Sequence, residues 1–297
     1  MPDALAPGLY LVATPIGNLG DITLRALEVL KSADSIACED TRQTQKLLNH
    51  YGIATPTISY HEHNELDRAA KLIEELKSGA RIAIVSDAGT PGISDPGSIL
   101  VREAIAAGVP VVPIPGASAA ITALIASGLP ADEFHFIGFL PEKAGARRTR
   151  LEALVEQPRD TPQTVILYEA PHRIADTLAD IEAVFGPNLR IVAARELTKL
   201  HEEFLRGTVA EVHSQLEARD RIRGEFVLLL ELSPQTNKLG APHLDSEMWE
   251  SISTQINRLQ SQHNLDEKEA LKRLARELGK SKSELYRELQ RERAKRR

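Results

Sequence analysis

Cysteine occurs once, at Cys38, in 297 residues. A single thiol excludes an internal disulfide and any cysteine-rich zinc site, and it suits a reducing compartment. No apolar run approaches the ~18 residues that span a bilayer. The start, MPDALAPG, has no basic stretch leading into an apolar one, so no export signal is read there. The expectation is a cytoplasmic protein without membrane contact. G-x-G-x-x-G is also missing, which removes the dinucleotide fingerprint. Aromatic residues are few, but an apolar content of 42% is enough to fill the cores of two ordinary domains.

Charge is scarce on balance and uneven in place. The net charge is −6, yet residues 265–297 hold twelve Lys/Arg against seven Asp/Glu, which leaves +5 there and −11 over residues 1–264. A solvated helical tail and contact with a polyanion are both open readings of that basic end.

Short Val- and Ile-rich runs alternate with helix-period segments. LYLVA (9–13), SIACE (35–39), RIAIVS (81–86) and VPVVPI (109–114) read as strands. ITLRALEVLKSA, LDRAAKLIEELKSG and SILVREAIAAG read as helices, with Asp21 and Asn64 as caps and Gly79 and Gly108 as stops. This alternation predicts an α/β unit with a mainly parallel sheet. ASAAITALIASGLP (117–130) carries the chain into a second α/β unit. Its strands are EFHFIGFL, QTVILYEA, LRIVAAREL and GEFVLLLEL, and its helices are RRTRLEALVEQ, HRIADTLADIEAVF and VAEVHSQLEAR. The expected division is 1–120 and 121–232 for the two α/β domains, 233–245 for a Pro- and Gly-containing linker, and 246–297 for a basic helical segment. In that last segment EKEALKRLARELG and SKSELYRELQRERAKRR meet at Gly279, and Ser281 with Glu284 forms a capping box. This is a helix-turn-helix-like arrangement.

The most distinctive stretch is VSDAGTPGISDPG (85–97). A Gly-rich turn after a strand normally suggests phosphate. Asp87 and Asp95 would repel an anion, and no lysine follows a glycine here as in the P-loop. A cationic or hydroxyl-rich ligand fits better. ATPIGNLGD (13–21) and PIPGASAA (113–120) are loops of the same kind. All three belong at strand C-termini, where doubly wound sheets bind ligands. Their plain alternative is a tight β-α connection, with Ser118 simply a helix cap.

Other polar stretches carry less. His61-Glu62-His63 gives two nitrogens and no third ligand at a diagnostic spacing, so no metal is expected. There is no nucleophile elbow, and covalent catalysis is unsupported. YEAPHR (168–173) and RELTKLHEEFLRGT (195–208) supply Arg173, Arg195, Lys199, His201 and Arg206, some of which should face a cleft between the units.

SDAGTPGISDPG, LVATPIGNLGDITLRA, CEDTRQTQKLL, VPIPGASAAITAL, LYEAPHRI and RELTKLHEEFLRGT, in their chain order, resemble the ribosomal RNA small subunit methyltransferase I group. That group lies within the tetrapyrrole methylase class of S-adenosylmethionine-dependent enzymes. The resemblance covers about residues 8–232, and the basic helical end matches this branch rather than its porphyrin-modifying relatives.

The resemblance implies two α/β domains of the tetrapyrrole methylase type with S-adenosylmethionine in the cleft between them, and a homodimer. It implies methylation of a cytidine ribose 2′-hydroxyl in the decoding region of 16S rRNA, in the small ribosomal subunit. By motif, Thr14, Pro15, Asp87, Ala88, Gly89, Thr90, Ser118, Ala119, Tyr168, Glu169 and Gly224 would bind the cofactor. Asp40 is the expected general base and Arg42 a phosphate or hydroxyl positioner, because the EDTR stretch puts this polarity at a strand end. Lys280, Lys282, Arg287 and Arg291 of the basic end are the expected RNA contacts. A tetrapyrrole methyltransferase shares the loops but leaves the basic end without a use. A helix-turn-helix regulator shares only that end.

Overall fold

A computed structural model of the chain describes residues 5–61, 63–234, 256, 259–260, 266–277, 285–287 and 289. The chain divides after Thr236 into two units.

The first part of the larger unit is a five-stranded sheet. Its strands are β1 (Gly8–Val12), β2 (Ser35–Cys38), β3 (Thr57–Ser59), β4 (Arg81–Val85) and β5 (Val111–Ile114). They run in the order β3-β2-β4-β1-β5, all parallel. Four helices cover it: α1 (Leu24–Ser32), α2 (Thr41–His50), α3 (Glu65–Lys77) and α4 (Ser98–Ala106). Tyr10, Ala83 and Val85 point to the face packed by α1 and α2 through Val29, Leu30 and Leu48. Leu9, Ile82 and Ile84 point to the other, packed by α3 and α4 through Leu72, Leu76 and Leu100. Burial on both faces is why these strands read as unbroken apolar runs.

The second sheet is built from β6 (Phe134–Phe139), β7 (Gln163–Glu169), β8 (Arg190–Arg195), β9 (Glu203–Thr208) and β10 (Phe226–Leu232). Its order is β6-β7-β10-β8-β9, with β6 and β7 parallel and every other pair antiparallel. Three helices, α6 (Ala144–Glu156), α7 (Ile174–Phe185) and α8 (Val209–Glu217), pack one face around Leu151, Leu178, Val212, Leu228 and Leu230. The other face is covered by α5 (Ala119–Ser127), whose Ala120, Ala123 and Leu124 meet Ile166, Val192 and Leu229. Thus α5 leaves the first sheet and packs on the second.

Several local expectations are corrected. Thr23, not Asp21, caps α1 by accepting from the Ala26 N–H (3.0 Å); Asp21 belongs to a short 3-10 turn, Leu19–Asp21. Asn64 stands before α3 without capping it, because its Oδ1 accepts from the His61 N–H. Ser118 precedes α5 without a side-chain cap bond. Neither β3, three residues long, nor β9, a half-polar edge strand, has a clean period-2 apolar signal. The helix α2 buries only Thr44 and Leu48, so its apolar stripe is too thin to mark it.

In the smaller unit, α9 (Glu267–Glu277) is described together with helical residues 256, 259–260, 285–287 and 289. Ile256, Leu259, Leu271, Leu274, Leu285 and Leu289 belong to one apolar cluster. Most of the expected linker and the Ser281–Glu284 capping box lie outside the described residues. Among the described residues no helix is long and apolar enough to cross a membrane.

Candidate active site

The strands β4, β1 and β5 are neighbours, and the three Gly/Pro loops follow them directly. Beyond the strand ends the loops are tied to one another. Thr14 N–H donates to Gly89 O (2.8 Å) and Gly89 N–H donates to Thr14 O (3.0 Å). The buried Thr14 hydroxyl donates to Ser86 O (3.2 Å). On the other side the Thr90 hydroxyl donates to Ala117 O (3.2 Å). Gly89 has φ +85°, and a Cβ there would stand 3.3 Å from Ile16 Cγ2, so a side chain would be strained and crowded.

These loops and the ends of β7 and β10 enclose a cavity of about 510 Å³, within the size range of small-molecule sites. Asp87, Ala88, Gly89, Thr90, Ser118, Ala119, Tyr168 and Glu169 all line it. Thr14 and Pro15 do not; they line an adjacent cavity of about 560 Å³ that shares Ile16, Asp87, Ala88 and Glu225 with the first. Gly224 lines neither. It packs against the Glu196 side chain, and the residues after it, Glu225, Phe226 and Val227, line the cavity instead. Glu169 is committed to its own neighbourhood. Its carboxylate accepts from Ala170 N–H (2.8 Å) and the Thr177 hydroxyl (2.6 Å) and pairs with Arg173 (3.3 Å).

Asp40 and Arg42 line neither cavity. Asp40 caps α2 by accepting from Arg42 N–H (2.8 Å), and its carboxylate also binds the Arg42 guanidinium (2.9 Å). These bonds hold the Asp40 carboxyl down at about 2. A carboxylate so stabilised is a weak proton acceptor. Its contribution to the site is indirect: Asp40 N–H donates to Asp87 Oδ1 (3.1 Å).

Asp95 is the opposite case. Burial first, then the nearby charge of Glu39 and, after a bond from Ser86 that works against them, of Asp87, push it up to about 6. All three carboxylates line the same cavity. Burial also raises the Tyr168 phenol. In the sequence Asp95 stands with Asp87 as the reason to expect a cationic ligand, without a role in the chemistry, and Glu39, Phe139, Leu197 and Glu225 are not picked out. Only Asp95 carried a signal, as a second acid in a loop otherwise built for an anion.

The basic side chains expected in a cleft are mostly engaged elsewhere. Arg206 donates to Ala126 O and Ser127 O, Arg173 to Leu140 O, and Arg195 pairs with Glu203. Lys199, held by Glu196 (2.8 Å) and Glu225 (2.9 Å), lines the adjacent cavity. Arg287 is exposed; Lys280, Lys282 and Arg291 lie outside the described residues.

A raised carboxyl has a stability cost with a definite sign. The native state binds the Asp95 proton more tightly than the unfolded chain does, so this contribution is full below about pH 4 and is lost as pH rises through 6. Asp95→Asn is therefore expected to be more stable than the wild type at pH 7.5 by about 1–2 kcal/mol, from ~1.4 kcal/mol per pH unit less solvent screening. The gain should shrink at pH 4.5. Urea unfolding at the two pH values checks this; an equal difference at both would remove the raised carboxyl.

The family described as Tetrapyrrole (Corrin/Porphyrin) Methylases matches residues 8–213. The ribosomal RNA small subunit methyltransferase I of Halalkalibacterium halodurans is 50% identical over 281 residues, covering 94% of this chain and 93% of that protein. Its counterpart from Bacillus subtilis is 46% identical, covering 94% and 92%. Among solved structures, the methyltransferase CobJ superposes with a TM-score of 0.56 at 20% identity, covering 78% of this chain and 97% of that one. A uroporphyrin-III C-methyl transferase from Thermus thermophilus, complexed with S-adenyl homocysteine, superposes at 0.52 with 18% identity, covering 75% and 96%. The loops that meet at Thr14 and Gly89 are thus set on a shared fold, and the chain belongs to the tetrapyrrole methylase family, in the ribosomal RNA small subunit methyltransferase I group.

Proposed function

We propose that the chain transfers the methyl group of S-adenosylmethionine to the ribose 2′-hydroxyl of a cytidine in the decoding region of 16S rRNA. The observation that carries this reading is the two-sided cavity. Glu39, Asp87 and Asp95 supply negative charge, while Ile16, Tyr168, Leu197 and Val227 supply an apolar wall. Carboxylates close enough to raise Asp95 are relieved by a bound cation. An apolar wall suits a base ring. Both fit S-adenosylmethionine, which carries a sulfonium, an ammonium, ribose hydroxyls and adenine. When bound, it supplies a methyl group on a good leaving group.

What remains for the protein is to position and deprotonate the acceptor. Positioning of two reactants accounts for ~7–11 kcal/mol of a barrier. Asp95 is the base of this reading, since it lines the cavity while Asp40 is committed to Arg42 and the α2 cap outside it. Asp40 orients Asp87 through its backbone N–H. Arg42, whose side chain is 87% exposed, is free on its outer side for a phosphate. The relatives' names, which specify small-subunit ribosomal RNA, support the acceptor class. In this reading the chain changes from one α/β domain to the next near residue 120, and the cavity belongs to their seam.

Two further parts belong to this reading. The basic end, from 246 to 297, supplies phosphate contacts that a body of net −11 over residues 1–264 lacks. The homodimer of this reading forms through α5, a mostly apolar helix that packs on the second sheet and leaves Ile121 and Ile125 exposed.

The deciding experiment is transfer of labelled methyl to small subunits from cells lacking the protein, followed by mapping of the label. One labelled 2′-O-methylcytidine is expected. Asp95→Asn should lose ~10²- to 10⁴-fold in rate, and Asp40→Asn less than about tenfold. No label on subunits or free 16S rRNA, despite binding of S-adenosylhomocysteine, would overturn the acceptor. Removal of residues 246–297 should raise KM for subunits and leave cofactor affinity intact; an unchanged rate at limiting subunits argues against an RNA role for the tail. Ile125→Glu should sediment as a monomer, and a persistent dimer would exclude this face.

A further inference from the structure

Strand β6 contains a bulge at the edge of the cavity. Phe134, His135 and Phe136 pair with Thr164, Val165 and Ile166; the register then skips Ile137 and resumes with Gly138 opposite Leu167 and Phe139 opposite Tyr168. In an unbroken strand Phe139, three residues beyond Phe136, would point to the opposite face. The bulge cancels that alternation. Ile137 packs towards α6, α7 and α8, Phe136 and Tyr168 pack on the α5 side, and Phe139 is returned to the side of Tyr168.

The bulge is held by a local contact that needs glycine. Gly138 has φ +76°, and a Cβ there would come 2.8 Å from the Ser94 hydroxyl of the 86–97 loop. The backbone of β6 therefore lies directly against the loop that carries Asp87 and Asp95. Bulges beside active sites commonly re-aim a side chain.

Here the re-aimed side chain is an aromatic ring at the cavity's rim. Phe139 lines the cavity yet is 54% exposed. Its ring meets Tyr168 edge-on at 5.7 Å, and Tyr168 meets Phe136 at 5.0 Å, so the ring is braced rather than loose. The inner apolar wall, from Ile16, Leu197 and Val227, is buried. The open face of Phe139 is left for a second flat ligand.

We propose that Phe139 is the platform on which the base of the acceptor nucleotide stacks once that nucleotide has left its own stack. This rests on the reading that the acceptor is an RNA ribose. Unstacked bases of RNA are held on aromatic side chains in this manner, and enzymes acting within a stacked strand extrude the target nucleotide. A base lying on Phe139 at the rim puts its ribose at the mouth of the cavity that holds Asp95. Every base has a π face, so Phe139 positions the nucleotide without choosing its identity.

The test compares Phe139→Leu, which removes the ring and keeps apolar bulk, with Phe139→Tyr, which keeps the ring. Methyl transfer to small subunits yields kcat and KM, and calorimetry with S-adenosylhomocysteine reports fold and cofactor pocket together. Phe139→Leu is expected to raise KM for subunits by ~5- to 150-fold, the range that loss of base–aromatic stacking produces, with S-adenosylhomocysteine affinity within about twofold of wild type. Phe139→Tyr should recover most of the loss. An unchanged KM in the leucine variant overturns the proposal. So does a matching loss of S-adenosylhomocysteine affinity, which would give the ring to adenine, or a tyrosine variant as impaired as leucine. Absence of transfer by the wild type overturns the functional reading and this inference with it; transfer by wild type and leucine variant alike overturns the inference alone.

Discussion

Two reciprocal backbone hydrogen bonds, between Thr14 and Gly89, hold the candidate site together. The strands β1 and β4 are parallel and paired up to Leu11 and Ile84; beyond that the ladder ends and the two loops have no ladder to keep them together. The bridge rejoins them in antiparallel sense. It also satisfies backbone groups at a buried residue, where an unpaired N–H or carbonyl would be costly. Because Thr14 also bonds to Ser86, and Thr90 to Ala117, the loops after three strands behave as one body. The placement of Asp87, Asp95 and Ile16 follows from that.

The electrostatics of the cavity follow from the same closure. Three carboxylates are brought to one cavity, where Asp40 N–H donates to Asp87 and Ser86 bonds to Asp95. Asp40 is quieted by Arg42 and given to the helix cap. Two acids of similar sequence setting thus diverge: one is fixed as an anion outside the cavity, the other is kept easily protonated inside it.

Much of the fold was legible because the strands that matter are buried on both faces and stop at Gly/Pro loops. LYLVA, RIAIVS and VPVVPI announced β1, β4 and β5, and the loops after them were correctly grouped. Elements with thin apolar signals were lost, including α2, β3 and β9. In the site, backbone-determined positions such as Ala88 and Gly89 were legible from the loop motif. Residues whose role depends on distant partners were not. Gly224 packs against Glu196; Glu169 does line the cavity, with its carboxylate bonded to Thr177 and Ala170. The bonding of Asp40 depends on the side-chain conformation of Arg42. Phe139 was read only as part of a strand, since a one-residue bulge leaves no mark on hydrophobic alternation beyond a glycine.

The position of β10 has a consequence for the order in which this protein matures. Among the described residues it is the last strand made, yet it lies in the middle of the second sheet, between β7 and β8, and Phe226 and Val227 at its start line the cavity. While a chain is still emerging from the ribosome, the first sheet, complete at Ile114, can fold early, as N-terminal parts of growing chains do. The second sheet cannot close until residue 232 has been added. A truncated or unfinished chain therefore has the acidic loops without their opposing wall, and cofactor binding becomes a property only of molecules whose synthesis has passed the final strand.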